Sequence, residues 1–172
     1  MRLAAWCLAM ACTAAPAAPA LQAPNVVETG PRLVTSGQPD AAALKGLKAA
    51  GFDAVIYLVP PTAPDAVEGE AKIVAGQGLV FVNVPMNFTA PAEADFAVVT
   101  SVLKALAGRK VLVHCQVNLR ASSMVFLHRA ITLREDPRAA FADVARVWSP
   151  DPVWKAYIEG LLRRNGIDFE IL

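Results

Sequence analysis

Three predominantly apolar runs decide what this chain can fold into. They are Ala54–Val59, Leu79–Val84 and Lys110–His114. A strand that is apolar on both faces must be covered on both faces, which is the mark of a parallel sheet sandwiched between helices. The segments between the runs carry helical spacing. Asp40 caps an expected helix over residues 41–50, in which Ala43, Leu44 and Leu47 share one face, and Gly51 closes it. Further helices are expected over 65–75, 91–106, 121–133, 138–148 and 152–164. Phe96, Val99, Val102 and Leu103 form the inner stripe of the third, and Pro91 suits its first turn. Leu33–Thr35 adds a short edge strand, and residues 21–31 read as an extended lead-in. Strands alternating with helices predict an α/β fold. The expected form is a three-layer sandwich around a mainly parallel central sheet of four to five strands. No internal repeat or second-domain boundary interrupts it, so residues 21–172 read as a single domain.

Residues 1–20 read as a secretory leader. Arg2 supplies a minimal positive start, and Leu3–Ala15 is an apolar run too short to span a bilayer well. Ala18-Pro19-Ala20 presents small residues for cleavage after Ala20. An uncleaved anchor and a lipoprotein start at Cys12 are the weaker alternatives. The expectation is therefore an exported protein, periplasmic in a Gram-negative source, with no membrane association after cleavage. Lys and Arg number 16 against 15 Asp and Glu, and the leader removes only Arg2. That balance lacks the cationic footprint of a nucleic-acid binder. Any anionic substrate has to be drawn by a local site. Cys7 and Cys12 leave with the leader, so Cys115 becomes the only thiol. In an oxidising compartment an unpaired cysteine is either a small buried hydrophobe or a working nucleophile.

Its neighbours favour the nucleophile. In Val111-Leu112-Val113-His114-Cys115-Gln116-Val117-Asn118-Leu119-Arg120-Ala121-Ser122, a buried strand ends in cysteine and a tight loop leads into a helix. Open parallel sheets bind ligands at the carboxyl ends of their strands. The free N–H groups and dipole of the following helix attract an anion there. Gln116, Val117, Asn118, Leu119, Arg120 and Ala121 would supply the anion-binding loop. Those donors and Arg120 favour the Cys115 thiolate. Arg120 offers a planar fork for two oxygens of a tetrahedral anion. Ser122 is placed to hydrogen-bond the sulfur when it leaves. Asn118 tolerates a left-handed turn better than any residue except glycine. His114 points to the other side of the strand from Cys115 and should brace the loop. His128 falls mid-helix, where a structural role is expected. The two histidines have no matching Cys, Asp or Glu spacing, so no metal site and no cofactor are expected.

At these residues the chain resembles the cysteine-dependent dual-specificity phosphatases. The likeness is greatest to the small bacterial phosphatase-like branch also found joined to metallo-β-lactamase-type domains. It runs from about Leu33 to Leu133 and includes Thr35-Ser36-Gly37-Gln38-Pro39, Gly51-Phe52-Asp53-Ala54-Val55-Ile56, Pro85 and His114-Cys115 to Arg120. The resemblance implies a phosphatase-like fold and phosphate-monoester hydrolysis through a phosphocysteine. It also implies an arginine holding the phosphoryl oxygens and an aspartate on an earlier loop protonating the leaving oxygen. The partner would be a phosphorylated small molecule or a phosphoprotein.

Two departures matter. The spacer between Cys115 and Arg120 has four residues, one fewer than in the phosphatase motif. Asn118 stands where the family has glycine, and Ser122 keeps the usual distance, so only the arginine is displaced. A spacer of that length occurs in rhodanese-type sulfurtransferases, whose loop cradles a persulfide. The general-acid position, just past Pro85, is taken by Met86, Asn87 and Phe88, and an amide is no acid. Asp95 is the candidate replacement. Its competing role, shared with Glu93, is to complement the dipole in a helix's first turn. Three functions follow: phosphatase first, then sulfurtransferase or persulfide carrier on the same Cys115, then a non-catalytic anion-binding module.

Overall fold

The computed structural model describes residues 20–172. Apart from Ala20, the expected leader, with Cys7 and Cys12, lies outside the described residues. Five strands form one sheet: β1 (Val27–Gly30), β2 (Leu33–Ser36), β3 (Ala54–Tyr57), β4 (Val80–Asn83) and β5 (Val111–His114). Their order is β1-β2-β5-β3-β4. β5 is central, parallel to both β2 and β3, and β4 is parallel to β3; only β1 runs antiparallel, against β2. The apolar runs thus occupy the middle and one edge of a mostly parallel sheet with helices on both sides.

Strand alternation divides the core in two. Val34, Val55 and Leu112 pack with Leu44, Leu47 and Val74 under α1 (Ala41–Lys45) and α2 (Glu70–Ala75). Ile56, Val111 and Val113 face the larger core. It is built with Val99, Met124, Phe126, Trp154 and Leu161 from α3 (Glu93–Ala105), α4 (Leu119–Leu127) and α6 (Pro152–Arg164). Leu112, Met124, Leu161 and Phe126 are at most 1% exposed, and full burial of each such side chain contributes roughly 1.5–3 kcal/mol. α5 (Pro137–Ala145) packs beside α4 and adds Ala140 and Val144 to this core.

The elements depart from expectation where tertiary contacts or turn chemistry decide. Part of the expected lead-in is β1, recruited by pairing with β2. α1 stops at Lys45, because the Gly46 N–H turns back to Ala43 O and tight turns carry the chain to Gly51. α2 starts only at Glu70: the proline-bearing residues 60–67 make successive short turns, and Gly69 sits at φ 69°. α4 starts two residues early, at Leu119, and widens into a π turn over His128–Thr132, closed by Leu133 N–H donating to His128 O at 3.2 Å.

Candidate active site

β5 delivers Cys115 to the carboxyl edge of the sheet. The residue is anchored on both sides: its N–H donates to Ser36 O at 3.2 Å, and Leu58 N–H donates to His114 O at 2.9 Å. The side chain is 1% exposed. The loop beyond it is held from below. Gln38 N–H donates to Gln116 O at 2.9 Å. A Cβ at Gly37 would lie 2.8 Å from that same oxygen, so only glycine fits there.

Asn118 makes the turn into α4 in the left-handed region, at φ 75°. It is fully buried, and its Nδ2 donates to Asn25 O at 2.6 Å and Thr35 Oγ1 at 3.1 Å. In return Asn25 Nδ2 donates to Val117 O at 3.0 Å. This asparagine combines the backbone latitude of glycine with two anchors that glycine lacks.

Val117 bridges antiparallel to Gly37, which turns the Asn118 N–H toward Ser36 O. Among the described residues, no other amide from Gln116 to Ala121 donates to a loop or turn carbonyl. Those of Leu119, Arg120 and Ala121 belong to the first turn of α4, whose N–H groups have no intrahelical partner. A row of free donors beside a thiol at a helix N-terminus is a cradle for an oxyanion. Arg120 is 6% exposed. One terminal nitrogen donates to Met86 O at 3.2 Å, the other to Gln116 Oε1 at 2.6 Å, and the guanidinium lies 5.7 Å from the Phe88 ring centroid. Gln116 Nε2 donates in turn to Asp65 Oδ2 at 2.9 Å. A cleft of about 390 Å³ opens here, with Pro60, Pro64, Asn87, Phe88, Gln116 and Arg120 in its wall. Cys115 is not part of that wall and lies one residue from Gln116.

The remaining expected residues separate. Ser122 is at the cradle, 3% exposed, with its hydroxyl donating to Leu119 O at 3.2 Å. Asp95 is in the first turn of α3, where its Oδ2 accepts the Ala92 N–H at 2.9 Å, and it does not line the cleft. Glu93 pairs with Arg164 at 3.1 Å. Asn87 does line the cleft. Its Oδ1 accepts from both the N–H and the hydroxyl of Thr89 at 2.9 Å.

Behind the cradle, His114 faces the α2 side. Its Nε2 sits 2.7 Å from Glu70 Oε1, as a close contact without in-line hydrogen-bond geometry, and its ring stacks on Tyr57 at 4.7 Å. Burial, then Glu70, pushes the Tyr57 phenol up to about 12. Sequence reasoning missed both Glu70 and Asp65. A usable signal existed for Asp65, which lies in the loop after the carboxyl end of β3, where ligand-binding loops converge.

Comparison with solved structures recovers this architecture. The DUF442 protein of Shewanella putrefaciens CN-32, a candidate phosphatase, superimposes with a TM-score of 0.74 at 26% identity, over 83% of this chain and 94% of that one. The fold is that of the cysteine-dependent phosphatases. Tk-PTP in its active form gives a TM-score of 0.65 at 23% identity, over 83% of this chain and 96% of that one. TpbA of P. aeruginosa gives 0.62 at 18%, over 83% and 91%. No family model and no curated protein matches the chain.

Proposed function

We propose that the chain is a phosphate-monoester hydrolase that works through a phosphocysteine. The observation that carries this reading is the set of free first-turn amides of α4, Leu119 to Ala121, beside Cys115 and the buried Arg120 guanidinium. The Cys115 thiolate attacks phosphorus, an S–P bond forms and the ester P–O bond breaks. Water then attacks the phosphocysteine, S–P breaks, and inorganic phosphate leaves. The loop amides and Arg120, freed from Gln116 Oε1, hold the equatorial oxygens, whose charge grows in the transition state. Ser122, one helical turn from Asn118, is placed to steady the departing sulfur. Among the described residues no carboxylate lines the cleft, and Asp65, held by Gln116, is bonded to its wall. Good leaving groups should therefore be favoured, since they need no proton. The leader-like first 20 residues favour an exported protein, and a phosphorylated small molecule or a phosphoprotein is the substrate this reading calls for.

The short spacer and Asn87 favour one second reading, a sulfurtransferase or persulfide carrier on Cys115. A paired assay decides between the two. The phosphatase reading expects a burst of nitrophenol from p-nitrophenyl phosphate, lost in Cys115→Ser while vanadate binding remains. Thiosulfate-to-cyanide transfer without nitrophenol release would establish the second reading instead. Undiminished hydrolysis in Cys115→Ser would remove both.

A further inference from the structure

The opposite end of the sheet holds a cavity of about 430 Å³, between the β1–β2 turn, the end of α3 and the π turn after α4. Its size lies within the roughly 300–1,000 Å³ of small-molecule sites. Leu33, Leu103, Leu106, Val111 and Leu133 make it largely apolar. Leu133, at its mouth, is 53% exposed.

A buried histidine is set into that wall. His128 is 4% exposed, and its Nδ1 lies 2.5 Å from Thr100 Oγ1, which lies 2.9 Å from Thr132 Oγ1. Its other ring nitrogen has no hydrogen-bond partner among the described residues. Burial, reinforced by Lys104, pushes the imidazole down to about 4, so the ring is neutral at pH 7. We assign the threonines as a donor chain, Thr132 to Thr100 to His128 Nδ1, which leaves Nε2–H as a donor at the cavity wall. The π turn itself displaces this stretch from regular helix, a distortion that recurs at functional sites.

The rim is cationic. Arg32, Lys104 and Arg109 border the cavity and are exposed, and none forms a salt bridge among the described residues. Arg129 and Glu135 also line the cavity and pair with each other at 2.8 Å, and Asp143 pairs with Arg129 at 2.6 Å, so the one carboxylate in the lining is already engaged. A purely apolar occupant would leave the His128 donor unpaired, at a cost. A multiply charged one would be stripped of water against the leucine wall.

We propose that this cavity binds a free medium-chain carboxylate, its head group between Lys104 and His128 Nε2–H and its chain along Leu33, Leu106 and Leu133. The site lies at the far end of the sheet from Cys115 and does not depend on the reaction proposed above. Its test is a binding measurement. Calorimetric titration with decanoate, below its micelle concentration, should give saturable binding at one per chain. Decanol and decyltrimethylammonium should bind at least about tenfold more weakly. Lys104→Glu and Leu133→Asp, both at exposed positions, should each weaken decanoate about tenfold with unchanged thermal melting. Two-dimensional NMR should show decanoate shifting the His128 ring resonances. Equal binding of decanol, indifference to Lys104→Glu, or no saturable binding would each overturn the site.

Discussion

The two ends of the sheet treat buried polarity in opposite ways. At the carboxyl end, burial collects charge-seeking groups: the Arg120 guanidinium, the free first-turn amides of Leu119 to Ala121 and the thiol of Cys115. At the amino end, burial removes charge, holding His128 neutral among leucines behind two threonine hydroxyls. α4 and its π turn join the two, so one run of helix serves an anion cradle at its start and an apolar cavity at its finish. The difference shows that burial by itself assigns no role. What matters is whether dipoles and free donors are aimed at a buried group or withheld from it.

That contrast can be broken in several places. The largest effect is expected at the cradle. Arg120→Lys keeps the charge but loses the fork, so kcat/KM for p-nitrophenyl phosphate should fall by about 10²–10³-fold. Wild-type kinetics in that variant would reduce Arg120 to a packing residue.

The next effect belongs to the amino end. Between pH 6.5 and about 4 the unfolded imidazole takes up a proton while the folded one resists. The unfolded state binds more protons in that window, so stability is complete above it and falls as pH drops through it. The loss should reach on the order of 3 kcal/mol by pH 4. Urea midpoints compared at pH 7 and 4.5, with His128→Gln as the flattened control, would check this.

Third, Asn118→Ala should cost about 2 kcal/mol in urea unfolding, from the left-handed backbone and two lost anchors, and Asn118→Gly should cost less. Fourth, Asn87→Asp restores an acid to the cleft wall and should raise turnover of alkyl phosphates about tenfold, with little gain on aryl phosphates. The smallest effect is expected for Asp95→Asn. It should lower stability by at most about 1 kcal/mol and leave kcat/KM unchanged, because its carboxylate serves the start of α3. Loss of turnover there would make Asp95 the acid and move the active end of the molecule toward α3.

The cradle was legible because it is contiguous. Cys115, Asn118, Arg120 and Ser122 lie on one strand–loop–helix segment whose local rules suffice to place them. The sheet was legible for the same reason, since each apolar run states its own burial. What stayed hidden depends on partners far along the chain. Glu70 meets His114 only because α2 packs beside α1 and against β4 on that face of the sheet, and Asp65 meets Gln116 across a loop whose prolines signalled stiffness but not direction. β1 carries no apolar run of its own and exists by pairing with β2. The π turn has no signature in composition, because Leu127 to Leu133 reads equally well as ordinary helix.

The central place of β5 has one more consequence, for how the protein comes apart. Val111 to His114 pair with β2 on one side and β3 on the other, so their amide hydrogens should be among the last to exchange with solvent, at rates set by global unfolding. The loop after Cys115 begins at the end of that strand and is tied to Asn25, Thr35 and Gln38, so it is expected to open together with the strand. Heat or a protease would therefore meet the cradle either whole or gone, and no half-assembled form with an exposed thiol would persist between.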